Sequence, residues 1–263
     1  MIVLNEYEWA KDVIASRSLG KKPSETLYRV ARYYLDNGLD KKEVRKTLDK
    51  FLIQCDPSAS LTKWSDSLDF ALNRALKNKT IMIDSIVITE PEWQKIRSVN
   101  GRQAQRLAFT LLCLAKYWNT VNAMCNGWVN NKDSEIMSMA NINTSIKRQS
   151  LMYHTLRESG LIQFSKKIDN TNVRVCFIED GEPTLYITDF RNLGYQYLRN
   201  IGEPYYVCEC CGITTKVQSR NKDCHTKQGP GRPPKYCKDC ATKVHLKQKV
   251  NSVMRRQKTS KSE

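Results

Sequence analysis

The chain of 263 residues has a formal net charge of +16, with 40% hydrophobic and 27% charged residues. This is the composition of a folded, soluble protein, and its length allows one large domain or two to three small ones. The longest apolar stretch, Leu107 to Ala115, is interrupted by Thr110 and flanked by Arg106 and Lys116, far short of the roughly 20 residues that span a bilayer. The acidic start MIVLNEYEWAKD lacks the basic region and apolar core of a signal peptide, so a cytoplasmic protein with no membrane partner is expected.

The first region, residues 1–80, reads as a helical N-terminal domain. Ser24 and Glu25 begin the helix SETLYRVARYYLDNG, in which Leu27, Val30, Ala31 and Tyr34 share one face and Asn37-Gly38 is the stop. In DKKEVRKTLDKFLIQC, Val44, Leu48, Phe51 and Leu52 form the apolar stripe, and Asp56-Pro57 breaks the helix. A third helix, SLTKWSDSLDFALNRALKN, places Leu61, Trp64, Leu68, Leu72 and Ala75 on its core face. Nothing here has the spacing of a catalytic site, and a packing or protein-contact role is expected.

The second region, 81–203, opens with IMIDSIVIT, a strand or extended linker, and a helix around Glu90–Val99. Gly101 precedes the long apolar helix RQAQRLAFTLLCLAKYWNTV. Asp133 or Ser134 can cap a short helix, SEIMSMA; Asn141-Ile142-Asn143 is a turn; Thr144 or Ser145 can cap SIKRQSLMYHTLRES, because a short side-chain oxygen satisfies the free amides of a first turn. Ile146, Tyr153 and Leu156 are placed on its inward face, and His154 is read as a surface or satisfied histidine. Gly160 ends the helix. Leu161–Phe164 reads as a strand, Asp169–Asn172 as a turn, and Val173, Val175 and Phe177 alternate along a return strand.

The third region, 204–263, is rich in cysteine and in basic residues. Of ten cysteines, Cys55, Cys113, Cys125 and Cys176 lie among apolar neighbours and are expected to be reduced core residues. The other six crowd into Cys208–Cys240, where Cys208, Cys211, Cys237 and Cys240 form two C-x2-C pairs. Two such knuckles, each read as a tight turn, supply four soft ligands to one tetrahedral ion, and Zn²⁺ fits best. Four thiolates close the shell, so the zinc is expected to be structural. Cys210 stands beside Cys211 and is not expected to join the same knuckle; Cys224 and His225 fall in the intervening loop. Gly229–Lys235 resembles the Gly-Arg-Pro core of AT-hooks, although Pro230 stands where a flanking basic residue is usual. It is read as a rigid exposed loop whose Arg232 and Lys235 can reach DNA. From Cys208 onward, fourteen Lys and Arg face four Asp and Glu, so this region carries +10 of the +16. So uneven a charge suits an acidic partner, most commonly nucleic acid.

Helix, tight turn, helix and hairpin between Asp133 and Tyr186 is the order of a winged helix-turn-helix. MANINTSIKRQSLMYHTLRESGLIQFSKK resembles winged-helix DNA-binding domains over roughly residues 102–188. With ITDFRNLGYQYL and the terminal C-x2-C pairs, the chain resembles small DNA-binding proteins carried by bacterial phages and mobile elements. The resemblance implies a mainly α fold with small β elements: helical N-terminal domain, winged helix-turn-helix and zinc-ribbon or knuckle module.

In such domains the second helix enters the major groove, which here offers Asn143, Thr144, Ser145, Lys147 and Arg148 to base edges. The wing offers Lys166, Lys167 and Arg174 to phosphate. The function implied is a transcriptional regulator or replication accessory that binds duplex DNA. The alternatives are an interaction protein docking on a host polymerase, helicase or defence complex, and an RNA-binding protein. The sequence has no P-loop, nucleotide-binding glycine motif or acidic cluster with metal-ligand spacing, so no enzyme is expected.

Overall fold

The computed structural model describes residues 2–166, 172–217 and 234–259. Lys167, Asp169–Thr171, Cys224, His225, Gly229 and Arg232 lie outside these residues. The chain is mainly helical, with small antiparallel sheets, and divides into two compact units, Met1–Ile86 and Val87–Glu263. No helix among the described residues is long and apolar enough to cross a membrane.

The first unit contains α1 (Glu6–Ser16), α2 (Pro23–Asp36), α3 (Lys41–Cys55) and α4 (Leu61–Lys77). The i, i+3, i+4 spacing of apolar residues on α2, α3 and α4 directs Leu27, Val30, Val44, Leu48, Leu52, Leu68 and Leu72 into one core. Asp40 caps α3 through a reciprocal pair of bonds with Glu43, at 2.8 and 3.0 Å. Two expectations are corrected. Leu61 is exposed, because it is the first residue of α4 and precedes the turn that packs. Pro23 at the first helical position, rather than Ser24 as a cap, opens α2, with φ already set for helix.

Helix α1 was not expected, since its apolar face is short. Ala10 is buried and Val13 and Ile14 pack against the core, and the start of the helix is held by charge. Glu6 is buried and paired with both Arg29 (2.9 Å) and Arg32, while its second oxygen also accepts from the Ile81 amide at 3.2 Å. A carboxylate so far from water is tolerable only with compensation of this kind.

The strand β1 (Ile86–Thr89), which begins with the last residue of the first unit, leads directly into α5 (Glu90–Ser98) and then α6 (Arg102–Val121) of the second. Leu107–Ala115 of α6 is buried along its whole length, because other elements cover it on every side: α5, α7 (Asp133–Met139), α8 (Ile146–Glu158) and α9 (Leu193–Asn200) all pack on it. Trp93, Phe109 and Tyr197 form a ring cluster, and Tyr197 donates to Gln105 Oε1 at 3.0 Å. Beside it, the fully buried Glu92 receives Lys116 Nζ at 2.6 Å and the amides of Thr89 (2.8 Å) and Glu179 (3.1 Å).

Three short strands, β2 (Trp128–Val129), β3 (Ile162–Phe164) and β4 (Val173–Val175), form an antiparallel sheet in the order β2-β4-β3. A separate pair joins β1 to β5 (Pro183–Ile187). Then β6 (Tyr205–Val207) and β7 (Thr214–Lys216) make a hairpin, and α10 (Lys238–Thr259) ends the described chain. Cys113 is buried as expected and Cys55 and Cys125 are half-buried, but Cys176 is exposed: it follows Val175, and its neighbours Val175 and Phe177 take the inward positions.

Candidate nucleic-acid interface and metal centre

Helix α7 and helix α8 are joined by a turn in which Asn141 takes the left-handed conformation, φ +54°, which Asn tolerates better than most residues. Both helices start without a side-chain cap: Lys132 and Ser145 occupy the cap positions and neither supplies a side-chain bond. The Asp133 carboxylate instead accepts from Tyr153 Oη at 3.2 Å, tying the start of α7 to the middle of α8. Burial, and then this carboxylate, push the Tyr153 hydroxyl well above its ordinary range.

Met152, Tyr153 and Leu156 form the buried face of α8. Ile146 is 80% exposed, which corrects the inward placement. At 100° per residue it falls within about 20° of Tyr153, so its exposure comes from position along the axis and not from facing: it is the first residue of α8, six residues before Met152, where the packed segment begins. The outer side presents Lys147, Arg148, Leu151 and His154, with Asn143 and Ser145 exposed just before it and Thr144 half-buried. Leu151, 66% exposed, is a surface residue that apolar periodicity alone does not flag. Gly160, at φ +70°, closes the helix.

Lys166 is exposed at the end of β3. Arg174 lies in β4 and is tied back: its Nε donates to the Asn126 carbonyl at 3.1 Å and Nη2 to Asn126 Oδ1 at 3.3 Å. Lys235 is exposed and pairs with Glu209 at 3.4 Å.

The sulfurs of Cys208, Cys211, Cys237 and Cys240 lie within 4.8 Å of one another. Cys208 and Cys211 sit at the tip of the β6–β7 hairpin, where Gly212, at φ +72°, lets the backbone fold over the first sulfur and donate to Cys208 O at 2.9 Å. The second pair is not a tight turn, as the spacing suggested. Cys237 immediately precedes α10 and Cys240 stands in its first turn, with Ala241 N donating to Cys237 O at 2.8 Å. The two halves are stitched by Glu209 N to Lys235 O at 2.9 Å and by Tyr206 Oη to Tyr236 O at 3.0 Å. Cys210 is exposed and outside the cluster.

Burial pushes the Cys208 thiol up, but the amides of Cys237, Cys211 and Cys210 outweigh it and draw it below the ordinary thiol range. Burial and the neighbouring sulfurs push Cys240 far above that range. Four sulfurs this close cannot all carry charge without a cation among them, so the arrangement is chemically suited to a metal ion. The 3.8 Å separation of Cys211 and Cys237 sulfurs equals the edge of a tetrahedron with metal–sulfur bonds of about 2.3 Å.

Between the cysteine cluster and the α7–α8 turn stands the start of α9. Asn192, also left-handed at φ +54°, is its N-cap, yet its side chain makes no capping bond. Asn192 Nδ2 donates to Thr214 O at 3.0 Å and its Oδ1 accepts from Asn141 Nδ2 at 3.0 Å. Asn141 Oδ1 accepts from Tyr195 N at 3.1 Å, the amide that an N-cap side chain ordinarily takes. Arg191, paired with Asp189, donates to Cys211 O at 2.6 Å. The sequence marked Asn141 only as the start of a turn, and Arg191 and Asn192 only as part of ITDFRNLGYQYL, with no role for any of them. Their signal is weak, since Asn in loops is ordinary turn chemistry.

Comparison with protein-family models, with curated proteins and with solved structures finds no match to the chain.

Proposed function

We propose that this protein binds duplex DNA through a winged helix-turn-helix made of α6, α7, α8 and the β2-β4-β3 sheet, accompanied by a structural zinc module at Cys208, Cys211, Cys237 and Cys240. The observation that carries the reading is the two-sided character of α8. One side is buried through Met152, Tyr153 and Leu156, while Lys147 and Arg148 stand exposed on its first turn. Lys and Arg there can donate to guanine edges in a major groove, with Asn143, Thr144 and Ser145 at the same end of the helix. The exposure of Lys166 supports a phosphate contact there, and the cations that follow Cys208 add sequence-independent affinity. Arg174 is already bonded to Asn126, so its contribution is to hold the sheet as well as to add charge. The role in the cell is that of a transcriptional regulator or replication accessory.

The metal assignment follows from the donor set. Thiolates are soft ligands, four of them satisfy tetrahedral Zn²⁺, and no open position remains for substrate or water. The zinc supplies folding free energy to the hairpin and the start of α10.

Protein docking is a second reading, favoured by the exposed apolar residues Ile146 and Leu151 on α8. The test is selection of duplex DNA from a random pool by zinc-loaded protein at physiological salt, with RNA as competitor. An enriched motif supports sequence-directed DNA binding. Salt-sensitive binding without enrichment, or preference for RNA, overturns it and directs attention to α8 as a docking face.

A further inference from the structure

We infer that Asn192 is a positioning residue through which the cysteine cluster holds the α7–α8 turn, so that the posture of the start of α8 depends on the metal being bound. This rests on the proposed zinc site, and it adds a link that the cluster and the helix do not make by themselves.

The connection runs through short, named bonds. Cys208 follows Val207, which pairs with Thr214 across the β6–β7 hairpin, and Cys208 N donates to Ile213 O at 3.0 Å. Whatever holds the cysteine tip in place therefore holds the carbonyl of Thr214, a residue only 3% exposed. That carbonyl receives Asn192 Nδ2, and the other end of the same amide receives Asn141 Nδ2. An N-cap asparagine would normally turn its oxygen to the first turn of its own helix. Here Asn192 gives up that bond, and Asn141 caps α9 in its place through Tyr195 N.

Asn141 is thus committed on every side: Oδ1 to α9, Nδ2 to Asn192, and its carbonyl to Arg106 Nη1 at 2.9 Å. It stands five positions before Ile146, where α8 begins. A second link runs parallel to the first, from Arg191 Nη2 to the carbonyl of Cys211. If the hairpin loosened, Thr214 and Cys211 would withdraw both bonds from the start of α9, and Asn192 could turn back to cap its own helix, releasing Asn141. Left-handed φ at both asparagines is a backbone state that costs little for Asn and Gly and more for other residues, so the link can be cut by Asn192→Gly without straining the chain.

The test needs no DNA. Amide hydrogen exchange of the full chain is followed with and without EDTA, with zinc content measured on the same samples, since exchange reports local opening. Chelation is expected to speed exchange in residues 140–149 by about tenfold, the effect of losing one or two net hydrogen bonds, besides loosening 205–217. Asn192→Gly is expected to keep its zinc, to show most of the faster exchange already, and to gain on chelation only the smaller part carried by the Arg191–Cys211 bond. Cys237→Ser should behave as chelated protein without chelator. A protein that binds zinc but changes only in 205–217 and α10 on chelation overturns the inference while leaving the zinc site standing. A protein that holds no zinc overturns both.

Discussion

Gly194 lies against the carbonyl of Ala140 so closely that an added Cβ would stand 1.8 Å from that oxygen and 2.4 Å from its carbon. The contact joins the first turn of α9 to the end of α7, and both partners are backbone, so neither can rotate away. Gly194→Ala would gain up to about 1 kcal/mol of helix propensity, but overpacking of this kind costs about 1–3 kcal/mol or more. The overlap should win. The expected outcome is a melting temperature lowered by several degrees, at about 2–4 °C per kcal/mol for a unit of this size, and an unchanged or raised value would contradict the close approach.

The Glu92–Lys116 pair makes a second prediction about stability. Glu92 is fully buried and Lys116 half-buried, and the carboxylate also holds the amides of Thr89 and Glu179. Lys116→Ala leaves the carboxylate without its cation and should cost about 3–5 kcal/mol, whereas replacing both residues with apolar ones of similar volume should cost less. Denaturant midpoints of the two variants measure the difference.

Within the proposed DNA reading, Lys147 and Arg148 should differ from Lys166 in kind. Lys147→Ala with Arg148→Ala is expected to remove discrimination between target and random duplex, each bidentate base contact being worth about 1–3 kcal/mol. Lys166→Ala is expected to weaken binding to all sequences alike and to reduce the slope of log affinity against log salt by about one. Titrations at several salt concentrations separate the two patterns, and equal behaviour of all three positions would count against α8 as the reading element.

Metal retention should fall with acid. Each thiolate ligand must be deprotonated to bind, so protons compete with the ion and release rises as the pH drops; at higher pH the four sulfurs stay available and the metal is kept. Cys237→Ser should abolish stoichiometric zinc, while Cys210→Ser, at an exposed residue outside the cluster, should retain it. A chromogenic zinc indicator read across a pH series reports all three proteins.

The amino-acid sequence by itself determined most of the helices and the set of four clustered cysteines. Apolar spacing of 3.6 residues marks α2, α3, α4, α6 and α8 because each buries one face, or in α6 every face, and a C-x2-C pair marks its own chemistry because two soft ligands at that separation converge locally. Only the tertiary structure decided the rest, wherever the cause lies far along the chain. The start of helix α1 depends on Arg29 and Arg32 meeting Glu6, the two-residue strand β2 on pairing with β4, and the exposure of Ile146 on where along its axis α8 is packed. The same holds at the cluster. Spacing suggested two equal turns, but the second pair stands at the start of a helix, since the residues after Cys237 close α-helical bonds, beginning with Ala241 N to Cys237 O. Asn141 and Asn192 are ordinary loop residues until the fold brings them to 3.0 Å, because a hydrogen bond between positions so distant in sequence has no local periodicity to announce it.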